Sequence, residues 1–145
     1  MTGNQLAILQ RAFHRECCSL AQYLDECWPW SNRGGRAAQE LARSIITDER
    51  RWAEHLAELI ELRGGVPVPG AYPLQFTNWN LHFLALDYLL RRLADYIEKD
   101  LPALERDLAA AADDPPIRRL VEQMLERKRG QVESLRKLVS APRQS

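Results

Sequence analysis

Glu16 and Glu49 are the residues whose type and position ask for chemistry. Each carboxylate interrupts an apolar stripe of helical period. One stripe is Leu6, Leu9, Phe13, Glu16, Leu20, Tyr23 and Cys27; the other is Leu41, Ile45, Glu49, Trp52, Leu56, Leu59 and Arg63. A carboxylate facing a helical core needs a cation or a proton, because an unpaired desolvated charge is very costly. A metal ion is one such cation, and a Glu with a His three residues later on the same face is a ligand pair suited to it. In 48-DERRWAEH-55 the position three after Glu49 is Trp52, and the histidine comes three residues later still, at His55. A lysine is the other possible cation. The last stripe (Ile117, Val121, Met124, Lys128, Gln131 or Val132, Leu135, Leu138) carries one at Lys128. That lysine either faces the carboxylates or snorkels to the surface.

The elements that must position these groups are helical nearly throughout. Expected helices cover about residues 3–28, 36–63, 78–111 and 115–140. Thr2 with Gln5 reads as a capping box, and Pro29 with 31-SNRGG-35 ends the first helix. Gly64, Gly65 and Pro67 stop the second. Thr77 is a candidate N-cap for the third, which should kink or restart near Asp100 because Pro102 lies inside it. Asp114 followed by Pro115 opens the fourth, and 142-PRQS-145 should fray.

Helix lengths choose the topology. Helices of about 26 residues are about 40 Å long. The short link between the first two makes them antiparallel neighbours. The link 64-GGVPVPGAYPLQFT-77 can span about 46 Å when extended, enough to run the length of a bundle. The expected fold is therefore all-α, a four-helix bundle with a long crossover between helices two and three, in a single domain of 1–145.

Counting from the first turn, near residues 32 and 33, puts Glu16 and Glu49 at one height in the antiparallel pair. Thirteen residues into the third helix, parallel to the second, Leu93 or Ala94 reaches nearly that level, and symmetry about the turn near Asp113 sets Lys128 and Gln131 against Asp95 to Glu98. The expected interior layer is thus Glu16, Glu49, Lys128 and Gln131, with Tyr23 and Trp52 beside it.

The segment 16-ECCSLAQYL-24 resembles the first helix of ferritin-like proteins of the bacterioferritin and rubrerythrin type, in which a ligand Glu precedes a Gln-Tyr pair by this interval. The segment 45-IITDERRWAEHLAELIELRGGVP-67 resembles their second helix, from Asp-Glu-x-x-His to a Gly-x-Pro stop. The resemblance implies a ferritin-like bundle with metal ligands at Glu16 and Glu49. It also places Trp52 where the family has a histidine and Ala94 near the third-helix glutamate. Lys128-x-x-Gln131 falls where a Glu-x-x-His pair belongs. Four of the family's six ligand positions are therefore changed, and a lysine at one of them repels a metal.

The leading expectation is a ferritin-like bundle without a functional di-iron centre and without a cofactor, serving as a binding or structural module rather than an enzyme. The resemblance also implies a homo-oligomer. The alternative is an iron-dependent oxidase using Glu16 and Glu49, with His55 or an acid such as Asp87, Asp95 or Glu98 recruited as a further ligand. Tyr23 and Trp52 read equally well as core filler, and His14, His55 and His82 lie on three helices at three heights, which is no ligand set. Trp28, Trp30 and Trp79 either cap the core or form an aromatic patch for a protein partner.

At 145 residues the chain can bury one core, and its Lys+Arg and Asp+Glu totals are equal at 20. With no basic face or tail evident, nucleic acid is not an expected partner. No apolar stretch nears the ~18 residues of a membrane helix, and no basic start leads into an apolar run. The expected location is cytoplasmic, with Cys17, Cys18 and Cys27 as reduced thiols. No nucleophile elbow, phosphate loop or zinc-spaced cysteine set occurs in the sequence.

Overall fold

A computed structural model describes residues 2–27, 35–73, 76 and 86–140. Among these residues the regular structure is entirely helical. Helices α1 (Thr2–Cys17), α2 (Leu20–Cys27), α3 (Gly35–Leu62), α4 (Leu86–Ala110) and α5 (Pro115–Ser140) follow in chain order. The packed pairs are α1 with α3 and α4 with α5, joined through α3 with α5 and through α2 with α3 and α4. Among the described residues no helix is long and apolar enough to cross a membrane.

The single first helix expected over 3–28 is two helices. The break falls at Cys18 and Ser19, where the Ser19 hydroxyl accepts the Gln22 backbone N–H at 3.2 Å. That is an N-cap: a side-chain oxygen meets an amide of the new first turn, so α2 starts afresh. The restart expected near Asp100 does not occur, since α4 continues through Pro102 as one helix. Pro102 is exposed, so the carbonyl deprived of its partner is on the wet side, while Ile97 and Leu104 hold the flanking turns in the core.

Helix α3 ends in a Schellman motif. Gly64 N–H bonds the Glu61 carbonyl and Gly65 N–H bonds the Ile60 carbonyl, both at 3.0 Å, with Gly64 at φ +80°. At Gly65 the chain passes close to α1: a Cβ there would come within 2.8 Å of a Leu6 methyl, which would have to move aside. Arg63 then grips both Asp114 oxygens, at 2.7 and 2.9 Å, tying the end of α3 to the start of α5.

Beyond Gly65 the chain travels beside the first hairpin. Gln10 donates to the Val66 carbonyl at 2.7 Å and accepts the Val68 N–H at 3.2 Å. Pro69 O then takes bonds from His14 Nδ1 at 2.6 Å and Cys18 Sγ at 3.2 Å. Farther along, the Tyr72 and Phe76 rings lie 5.2 and 5.3 Å from that of Tyr23.

The buried apolar side chains form two cores. One gathers Leu20, Leu24, Ile45, Phe76, Leu93, Ile97 and Leu135, with their neighbours. The other gathers Leu9, Phe13, Trp52, Leu56, Leu104, Val121 and Met124, with theirs. The interval between them on each long element holds polar residues: Glu16 and Ser19, Glu49, Asp100 and Lys128.

Candidate functional site

This polar layer is built from four elements. Glu16 closes α1, Glu49 sits mid-α3 and Lys128 sits mid-α5, and they are only 2%, 1% and 3% exposed. Lys128 Nζ stands 2.9 Å from Glu16 Oε1 and 3.8 Å from Glu49 Oε2. Glu49 Oε1 accepts from Ser19 Oγ at 2.7 Å and Gln22 Nε2 at 3.1 Å. Gln22 also donates to the Ile46 carbonyl at 3.0 Å, and its own oxygen accepts from Arg50 Nε at 3.1 Å. The ammonium lies 5.1 Å from the ring centre of Trp52, a member of the second core, so an aromatic ring borders the layer. Arg15 pairs with Asp107 next to it.

One ammonium cannot neutralise two buried carboxylates. Burial pushes both acids up: Glu49 rises to about 7, with Lys128 opposing the rise, Glu16 adding to it, and the Ser19 and Gln22 hydrogen bonds opposing it. Burial also raises Glu16, again opposed by Lys128. Burial works against the Lys128 charge too, but Glu16 and Glu49 outweigh it and hold the ammonium above its ordinary value. Asp100 is raised chiefly by burial, with Lys128 and Arg15 pulling it back. The Tyr96 hydroxyl is raised by burial and then by Asp100, Glu49 and Glu16, so it remains a neutral phenol. The layer is therefore a protonated cation shared by acids that compete for it and retain a proton near neutrality.

Not every expected residue joins this layer. Gln131 is buried, but its amide donates to Asp48 at 3.0 Å, where Arg127 also binds at 2.7 Å. Tyr23 stacks in the first core against Tyr72 and Phe76. His55 is exposed on the outer face of α3. Asp95 and Glu98 are exposed and paired with Arg136. Trp28, Trp30, Trp79, His82 and the side chains of Cys27 and Asp87 lie outside the described residues; Cys17 is a free thiol, and Cys18 Sγ donates to the Pro69 carbonyl. Burial pushes the Cys17 thiol up to about 11, which makes it a poor nucleophile.

Residue counting placed Leu93 or Ala94 at the height of the carboxylates. Both belong to the first core, and the α4 residue that acts electrostatically on Glu16 and Lys128 is Asp100. Sequence reasoning missed Asp100, Tyr96, Ser19 and Gln22. For Gln22 a signal existed, since it belongs to the Gln-Tyr pair that follows Glu16 in the family resemblance. Asp100 lies two residues past Asp95–Glu98, the stretch that symmetry about the turn near Asp113 sets against Lys128.

The donor set does not suit a di-metal centre. Glu49 Oε1 is occupied by Ser19 and Gln22, Lys128 is aimed at both acids, and Trp52 takes the volume beside them. Among the described residues no three His, Cys, Asp or Glu side chains converge as a metal cage would. No protein-family model, curated protein or solved structure matches the chain.

Proposed function

We propose that the chain is a ferritin-like bundle in which a lysine has replaced the di-metal centre, and that it acts as a self-associating binding or structural module rather than an oxidase. The observation that carries this reading is the Lys128 ammonium, 2.9 Å from Glu16 and 3.8 Å from Glu49 in a buried layer. A carboxylate bundle with a fixed internal cation has no need of a metal, and the cation repels one. The passage of residues 65–76 along the first hairpin, from Leu6 to Tyr23, supports an end-to-end crossover of the ferritin type. Metal analysis of the purified chain, with an aerobic ferrous-iron oxidation assay, tests the reading. The expected result is no tightly held iron and no oxidation above background. Two firmly bound irons per chain would overturn it.

A further inference from the structure

Helices α3 and α5 leave a groove between them on the outer side of the bundle. Its central part is a cavity of about 340 Å³ lined by Asp48, Arg51, Trp52, His55, Gln123 and Arg127. Cavities of about 220 and 540 Å³ continue it toward either end, and Gln123 borders all three. The helical period aligns the lining: Asp48, Arg51, Trp52 and His55 share one face of α3, and Gln123 and Arg127 are one turn apart on α5.

The charge along the groove is not uniform. Acidic Glu126 and Glu58 belong to the two end cavities. The centre carries Arg51, Arg127 and His55 against Asp48 alone, and Arg119 borders the cavity next to it. Asp48 is already engaged by Arg127 Nε at 2.7 Å and Gln131 at 3.0 Å. The terminal nitrogens of Arg127 and all of Arg51, His55 and Gln123 have no acceptor among the described residues. A surface ion pair would leave such groups to water on a convex face. Here donors from two helices converge on a concavity whose floor is the indole of Trp52, only 7% exposed. The buried indole beside these donors lowers the local dielectric and strengthens charge-assisted hydrogen bonds.

We propose that the middle of the α3–α5 groove binds a small oxyanion, a phosphate or carboxylate group, held by Arg51, His55, Gln123 and Arg127. Arg127 is pre-oriented by Asp48 and offers its free amino edge. Arg51 meets the anion from the opposite wall, and the Gln123 amide completes the shell. The volume accommodates the anionic group together with a small attached molecule. This site does not depend on the reading of the buried layer. The two share Trp52, which borders the groove and whose ring centre lies 5.1 Å from the Lys128 ammonium.

That shared indole gives the readout. The full chain, ¹⁵N-labelled, is titrated with sodium phosphate, sodium acetate and sodium chloride at matched ionic strength, following the indole N–H that disappears in Trp52→Phe. A saturable shift with phosphate or acetate and none with chloride is expected, and the tighter of the two identifies the anion. Arg51→Gln should weaken binding about tenfold, and Gln123→Glu should abolish it. Both positions are exposed, so the fold tolerates them. Arg136→Gln, on an arginine outside the groove, should leave the affinity unchanged. Absence of saturation with both anions, or saturation that is equal in Arg51→Gln and Gln123→Glu, would overturn the proposal.

Discussion

Lys128 and Arg136 each stand between two carboxylates, yet the two constellations differ in almost every consequence. Arg136 meets Asp95 at 2.7 Å and Glu98 at 2.8 Å, with 43–58% of each side chain in water. Lys128 meets Glu16 and Glu49 at 2.9 and 3.8 Å, with side chains at most 4% exposed. The exposed group has the better distances and the smaller stake. Water and salt screen it, and its partners are well solvated without it. In the buried layer each charge has given up hydration and depends on the others, so removing one leaves the rest stranded. Burial, not contact length, sets the energetic weight of an ion pair here.

The sharpest way to break this contrast is Lys128→Met, which leaves two buried acids with no cation. It should destabilise the fold by about 3–5 kcal/mol, read by chemical denaturation at neutral pH. A smaller loss would mean that the acids re-protonate at little cost or reach water.

Next in size is a pH effect. Glu49 rises from 4.5 to about 7 in the folded protein, so the native state holds a proton that the unfolded chain has released in between. Its contribution to stability is full below the unfolded value and drains away as pH climbs through about 7. The loss over that window should be on the order of 3 kcal/mol. Comparing wild type with Glu49→Gln across the window isolates it, because the variant keeps the side-chain shape and an acceptor oxygen but cannot titrate. Parallel stability curves for the two proteins would refute the assignment.

The smallest effect should come from Arg136→Gln, within about 1 kcal/mol and shrinking further at high salt. A loss matching that of Lys128→Met would erase the distinction between the two constellations.

Much of the frame was legible from residue order. The stop at Gly64 and the proline start at Pro115 are local signals, and both mark real helix ends. Symmetry about the first turn related Glu16 to Glu49, because one rise per residue holds on both sides of a short link. Symmetry about the turn near Asp113 came within two residues of Asp100, whereas counting thirteen residues into the third helix led to Leu93 or Ala94, both in the first core. Ser19 was unreadable for another reason. A serine beside an apolar helical stripe suits continuation or a break equally, and here its hydroxyl both caps α2 and donates to Glu49, thirty residues away. Gln131 kept the interior position that its stripe implied, yet its amide followed the nearer acceptor, Asp48.

The Ser19 hydroxyl has a consequence beyond its place in the layer. The same oxygen that receives the Gln22 amide, in the first turn of α2, gives its hydrogen to Glu49. The direction in which the chain leaves α1 is thereby fastened to an acid on another helix. A proton arriving on that acid would slacken the fastening, so an ionisation event deep in the molecule can reach the backbone through a single atom.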